Sequence, residues 1–287
     1  MSPRLRTIVL VLLASILAAV PAAAAEPLRV LVSSTDYFAT DRERYAIWGD
    51  PETGALVILD TRTGQRRTVD LPAGCGVLRA YDAPEVMRHG RARLDCPTSE
   101  LDLDLRTGVV APASRRSGPR VPQAAGACRL ASIAGRADPF ELPSLWSAPY
   151  LLVPHYGTRS SLELRRCGHA PRAVGRGRIN TPRIGGGLVS WQSGLNGWTD
   201  FDGVDNARPR AGDRLWTYAV RSGRRESWRL PHLPFDFDTP LDHVGVSWHT
   251  SDAVFWVAVL DVYCYKLCDP DRWRVYWAPT ARRSANA

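Results

Sequence analysis

Tyr45-Ala-Ile-Trp-Gly-Asp-Pro-Glu-Thr-Gly-Ala-Leu-Val-Ile-Leu-Asp-Thr-Arg-Thr-Gly64 is the stretch that decides the fold. It reads as strand, turn, strand, turn. The short apolar run Tyr45–Trp48 meets Asp50-Pro-Glu-Thr-Gly54, the run Ala55–Asp60 meets Thr61-Arg-Thr-Gly64, and an exit strand follows from Gln65 to Pro72. Asp bonds nearby backbone N–H groups, and Gly takes a positive φ without steric cost, so an Asp-x-x-Thr-Gly sequence closes a hairpin well.

Working outward, the phrase returns. Arg91–Cys96, then Leu101-Asp-Leu-Asp-Leu-Arg-Thr-Gly108, then Val109–Ala113 form a second copy. Tyr150–His155, Ser161–Arg165 and the turn Cys167-Gly168 form a third. Leu188–Trp191, a long insertion, Arg214–Val220, Ser222-Gly223 and Arg224–Leu230 form a fourth; Ala253–Leu260 and Trp273–Trp277 form a fifth. Copies recur every roughly 45–60 residues, near the period of propeller blades. Within strands the alternation has period two: Leu101, Leu103 and Leu105 face one way, Asp102 and Asp104 the other. No helical period is visible beyond the N-terminal segment, and Pro and Gly occur throughout.

Each phrase supplies about three strands, and segments between phrases, such as Gly76–Tyr81 and Val244–Trp248, supply a fourth. Four antiparallel strands at this period resemble the blade of a WD40-like, quinoprotein-like or TolB-like β-propeller. The resemblance covers nearly all of the chain after residue 25 and lies in the strand-and-turn pattern, without a Trp-Asp signature. It implies an all-β chain, a single β-propeller of about five four-stranded blades over residues 26–287. The fifth copy lacks an exit strand after Trp277, and Leu28–Val32 is a spare strand at the other end of the domain. Pairing it into the last blade would close the ring and hide exposed edges. A pair of two-sheet sandwiches is the competing fold, and the repeats count against it.

The first segment reads as a secretory signal peptide. Arg4 and Arg6 precede the apolar run Ile8–Val20, and Ala22–Ala25 provides the small-residue cleavage site, placed after Ala25. The run is shorter than the ~18–20 residues of a membrane span, and no later segment is long and apolar enough to be one. Together with arginine as nearly the only base (Lys266 is the single lysine), this resembles a bacterial exported protein. The apolar fraction of 45% permits a sizeable core.

Six cysteines, Cys75, Cys96, Cys128, Cys167, Cys264 and Cys268, in an exported chain imply disulfides, with fifteen possible connectivities. The repeats favour sequential pairing: Cys75–Cys96, Cys128–Cys167 and Cys264–Cys268. A metal site at Cys264/Cys268 with His243 or His249 lacks a second close pair.

The net charge of the whole chain is +8. A basic surface suits anionic or glycan surface polymers, although scattered solvated arginines are the simpler reading. Nucleic-acid binding is not expected, because neither a concentrated basic stripe nor a known module is present.

Three features carry candidate chemistry. The insertion Leu195–Asp213 holds Asp200, Asp202, Asp205 and Asn206 around Gly203, and resembles the Asp-x-Asp-Gly calcium loops of extracellular repeat proteins. Closely spaced oxygens of this kind can wrap Ca²⁺, yet the EF-hand spacing and its bidentate Glu are missing; a solvated polar loop is the plainer reading. Eight of the ten tryptophans lie from Trp191 onward. Strand tryptophans, Trp216, Trp228, Trp256, Trp273 and Trp277 among them, suit the space between blades, while Trp198 on the insertion is the candidate ligand contact. Asp236, Asp238 and Asp242 precede the fifth copy, and paired acids there would suit a carbohydrate-active hydrolase of the five-bladed type. The histidines show no metal spacing, and neither a nucleophile elbow nor a phosphate loop is present. The expected function is therefore an exported, non-catalytic binding or scaffold propeller, with the hydrolase as its alternative.

Overall fold

The computed structural model describes residues 26–35, 37–77, 87–97, 99–113, 142–156, 160–177, 179–193, 213–231, 245–261 and 272–280. These residues form five antiparallel sheets. In chain order, the first is β2 (Phe38–Thr40), β3 (Tyr45–Gly49), β4 (Leu56–Asp60) and β5 (Arg66–Val69). The second joins β6 (Gly76–Val77), β8 (Arg91–Asp95), β9 (Glu100–Asp104) and β10 (Val110–Pro112), with β7 (Met87–Arg88) also paired to β8. The third is β11 (Trp146–Ser147), β12 (Tyr150–His155), β13 (Ser161–Arg166) and β14 (Arg172–Arg176). The fourth is β15 (Asn180–Gly185), β16 (Leu188–Ser193), β17 (Arg214–Ala219) and β18 (Arg225–Arg229). The fifth is β19 (Gly245–His249), β20 (Ala253–Asp261), β21 (Arg272–Pro279) and, from the other end of the domain, β1 (Arg29–Thr35).

The expected four-stranded repeat is thus present five times. The spare N-terminal strand pairs antiparallel with β21, Arg29 opposite Trp277 and Thr35 opposite Trp273. One element was not anticipated: a single helical turn, α1 (Leu142–Leu145), precedes β11. Four residues are too few to show a period in sequence.

Turn chemistry sets the hairpins. Asp50, Asp60 and Asp104 each accept, through Oδ1, the N–H groups two and three residues on. The glycines four residues on, Gly54, Gly64 and Gly108, have φ of 70°, 77° and 79° and donate back to the Asp carbonyl at 2.8, 2.7 and 2.7 Å. A Cβ at such φ meets backbone oxygen, which is why this position ends each turn with Gly.

Packing then stacks the sheets face to face. Along β20, Ala253, Phe255 and Val257 join Phe38, Ala46 and Trp48 of the first sheet. The intervening Val254, Trp256 and Ala258 join Leu215 and Trp228 of the fourth. One strand therefore feeds two seams, which explains its unbroken apolar sequence: both faces of the sheet are covered. Tyr45, Ile47, Leu56 and Ile58 pack on Ala92, Leu94, Leu103 and Leu105 of the second sheet. Leu152, Leu162 and Val174 of the third pack on Ile184, Val189 and Trp191 of the fourth. Four seams (second–first, first–fifth, fifth–fourth and fourth–third) are thereby built, in a propeller-like arrangement.

Turns of the first, second, fourth and fifth sheets meet at a shared hub. The turn after β2 reaches the β15–β16 hairpin of the fourth sheet, which is not its neighbour in this order: Arg42 donates to the Ile184 carbonyl at 3.3 Å. Ser251 of the fifth sheet bridges the two, its N–H on the Glu43 carbonyl at 2.9 Å and its hydroxyl on the Gly186 carbonyl at 2.9 Å. The approach is tight. A Cβ on Gly186, whose φ is +52°, would lie 2.3 Å from Ser251 Oγ and 2.5 Å from the Arg42 carbonyl oxygen. Asp41 ties in the second sheet by accepting the Gly90 N–H at 3.1 Å.

Among the described cysteines, Cys75 and Cys96 form the expected bridge, with Cα atoms 4.2 Å apart. Cys167 is also disulfide-bonded; Cys128, Cys264 and Cys268 lie outside the described residues, as do residues 1–25 and 194–212. No helix among the described residues is long and apolar enough to cross a membrane.

Candidate ligand-binding groove

Two places among the described residues bear on chemistry. The first is sealed. His249 and Ser190, on β19 and β16, are both fully buried. His249 Nε2 faces the Gly185 carbonyl at 3.2 Å. A carbonyl only accepts, so Nε2 carries the proton and Nδ1 accepts from Ser190 Oγ, 2.7 Å away. Burial, then the positive charges of Arg42 and Arg183, push the imidazole down to about 3, against the opposing bond to Gly185. A serine bonded to a histidine has the form of a nucleophile and its base, but this base is too weak to take a proton near neutrality, and neither side chain meets solvent. The pair pins the fourth sheet to the fifth.

The second place is open. Between the third and fourth sheets lies a cleft of about 320 Å³, lined by Ala173, Gly175 and Arg176 of β14 and by Trp191, Trp216 and Arg225 of β16, β17 and β18. Its aromatic wall follows from strand register. Trp191 and Trp216 lie directly opposite each other on β16 and β17, and their rings stack with centroids 6.0 Å apart and an interplanar angle of 6°. Trp191 is only 3% exposed and Trp216 is half-buried. The Trp216 indole N–H donates to Ser193 Oγ at 3.0 Å, which fixes its ring.

The opposite wall is cut back. A Cβ on Gly175 would stand 3.1 Å from the Trp191 ring, so only glycine lets β14 come this close. Arginines frame the cleft. Arg225 stands over the Tyr218 ring at 5.9 Å, and its Nη2 reaches across the seam to the Ala173 carbonyl at 3.5 Å. Arg172 crosses in the other direction, donating to the Val220 carbonyl at 2.7 Å over the same tyrosine. Arg176 is exposed at the end of β14.

The sequence expectations fare unevenly. Trp228, Trp256 and Trp273 are buried between sheets as expected. Trp216 also sits at a seam, but it does more than fill space, because one side of it borders the cleft. The arginines of β14 and β18 are exposed, as expected of solvated charges, but Arg172 and Arg225 also reach across the seam to backbone carbonyls of the facing sheet. Asp200, Asp202, Asp205, Asn206 and Trp198 lie outside the described residues, as do Asp236, Asp238 and Asp242. Among the described residues no group of His, Cys, Asp and Glu is arranged to hold a metal.

No protein-family model matches the chain, and no curated protein matches it. Solved structures do. The tricorn protease is similar over 85% of this chain and 21% of its own, with 13% identity and a TM-score of 0.25. TolB from Acinetobacter baumannii is similar over 83% of this chain and 52% of its own, at 10% identity and a TM-score of 0.21. A puromycin-hydrolyzing peptidase of Mycobacterium tuberculosis is similar over 88% of this chain and 36% of its own, at 16% and 0.23. The chain thus spans about half the length or less of each of these proteins.

Proposed function

We propose that the chain is an exported, non-catalytic binding protein: a five-bladed propeller, fastened by β1 in its last blade, that takes an anionic or glycan surface polymer on its outer surface. The observation that carries this reading is the cleft between the third and fourth sheets, where a fixed tryptophan face and guanidinium groups from both walls meet at an open surface. Ring closure is supported by the pairing of β1 with β21 and by the bonds that join the first and fourth sheets across the hub. Export is supported by the Cys75–Cys96 bridge, since disulfides persist in oxidising compartments.

The test is a binding screen of the purified chain against surface polysaccharides and wall polymers, with hydrolysis followed in parallel on the same panel. Saturable binding of intact polymer, without release of reducing ends, is the expected result. Release of reducing ends that is lost in Asp238→Asn would replace this reading with the hydrolase.

A further inference from the structure

Resting on the reading of the chain as a binding protein, we propose that the cleft between the third and fourth sheets is a subsite for one acidic sugar unit of a polysaccharide. The sugar ring lies on Trp216, and its carboxylate lies between Arg176 and Arg225. Three independent features lead to this ligand.

The first is space. On β14 the cleft is lined by Ala173, Gly175 and Arg176, and it is Gly175 that faces the tryptophans, so the wall opposite them is bare backbone there. The cleft is open along one side, unlike the enclosed, mostly apolar pockets that swallow small drug-like molecules. An open trough suits a unit within a longer chain whose neighbours remain solvated.

The second is a flat surface that needs no ordering. Trp216 is held by its stack on the buried Trp191 and by its N–H bond to Ser193. An aromatic side chain fixed before binding costs little entropy when a ligand docks on it. The C–H face of a pyranose is the flat, weakly polar surface that such an indole accepts beside water.

The third is charge. Arg176 and Arg225 reach the cleft from opposite sheets, and neither forms an ion pair with an acid among the described residues. The acid next in sequence, Glu226, points to the other face of β18 and pairs with Arg224. Guanidinium forks match the geometry of a carboxylate. A uronic acid combines ring face and carboxylate at the spacing of one sugar; a phosphate polymer offers the charge without the ring.

The experiment measures affinity by calorimetry on the full chain. Three probes separate the contributions: oligogalacturonate, the same oligomer fully methyl-esterified, and inorganic polyphosphate. Oligogalacturonate is expected to bind, with Kd weakened at least ~10-fold by methyl esterification and by either Arg176→Gln or Arg225→Gln. Trp216→Leu is expected to weaken it as well. Arg106→Gln, on the second sheet, should leave it unchanged. Arg176 and Arg225 are exposed, so their variants keep the fold even if Trp216→Leu does not.

Equal binding of the methyl ester overturns the proposal, as does polyphosphate binding as tightly as oligogalacturonate. So does wild-type affinity for oligogalacturonate in both Arg176→Gln and Arg225→Gln. If another polymer binds and ignores those two substitutions, the subsite falls while the binding-protein reading stands. If no polymer in either panel binds, both fall.

Discussion

Acid should destabilise this protein well before its carboxylates protonate, and His249 should be the cause. The imidazole is neutral and fully buried, held down to about 3 by burial and by Arg42 and Arg183. In the unfolded chain it titrates near ~6.5. The folded value is the lower of the two, so between them the unfolded state binds the extra proton. Stability contributed by keeping His249 neutral is therefore fully present above pH ~6.5 and is lost as pH falls toward ~3, at a limiting slope of about 1.4 kcal/mol per pH unit. From pH 7 to pH 5 the loss is about 2 kcal/mol, or a fall in Tm of roughly 4–8 °C for a domain of this size.

The carboxylates with shifted values act below that window. Burial pushes Asp60, Asp104 and Glu163 upward, but their hydrogen bonds prevail and hold all three below the usual carboxylate range: Arg44 on Asp60, the Thr107 and Arg106 N–H groups on Asp104, Arg165 and His155 on Glu163. A depressed carboxylate contributes stability above its unfolded value, near ~4, and loses it below, so these groups act at lower pH. The assay is urea unfolding from pH 7.5 to 5.0 for the wild type and His249→Gln. Gln can still donate toward the Gly185 carbonyl but does not titrate. Leaving Ser190 without its acceptor costs the variant about 1–3 kcal/mol throughout, so the slope and not the baseline is diagnostic. The other histidines are common to both proteins and cancel in the difference. Parallel stability curves across this range would refute the assignment of a neutral, buried His249.

Other outcomes follow from the same structure. Gly186→Ala combines a left-handed φ with a Cβ 2.3 Å from Ser251 Oγ; it should cost about 2–4 kcal/mol, read by urea midpoint. Replacing Cys75 and Cys96 together by serine frees a loop of sequence separation 21 and should lower stability by about 3 kcal/mol, against no effect of reductant on the double variant's remaining stability from that bridge. If Asp200, Asp202, Asp205 and Asn206 bind Ca²⁺, millimolar calcium, the range of extracellular modules at Kd ~10⁻⁴–10⁻³ M, should raise the wild-type Tm over chelator and leave Asp202→Ala unmoved. Equal shifts in both proteins would remove that site.

The blades were legible where local chemistry alone determines structure. Asp50, Asp60 and Asp104 close their turns through their own neighbours, so the residues that decide the turn stand together in sequence. β20 was legible for a different reason: a run apolar on both faces is demanded by its two seams. The innermost strands were harder. β11 has two residues and β2 three, too short to show alternation, and β2 is positioned by the hub, where Thr40 donates to the His249 carbonyl. There His249, Gly185, Arg42 and Ser251 come from segments more than 60 residues apart or from non-neighbouring sheets. β14 escaped notice because its residues, Arg172–Arg176, are mostly polar or small, and its one deeply apolar contact, Val174, has no partner pattern beside it.

The cleft was illegible for a reason that bears on how such a chain can carry function. Each of its parts reads as ordinary alone: a glycine in a strand, an arginine on an outer strand, a tryptophan between blades. Only one relation was available before the structure, the antiparallel register that sets Trp191 opposite Trp216, and it required knowing that β16 and β17 pair across the insertion. The rest depends on which sheet lies beside which. Gly175 matters because Trp191 arrives from the next sheet, and Arg225 frames a cleft because the Ala173 carbonyl lies across the seam. A seam between repeated sheets is the one surface where residues about 15 to 50 positions apart meet without any tertiary contact having to break the repeat. Substitutions at Arg176 and Arg225 can therefore tune a ligand while the turns and both-face-apolar strands that build the blades stay as they are. Trp191 belongs to core and cleft alike, Trp216 packs against that core and Gly175 abuts it, and at these three a change meant for binding would be felt as a loss of stability.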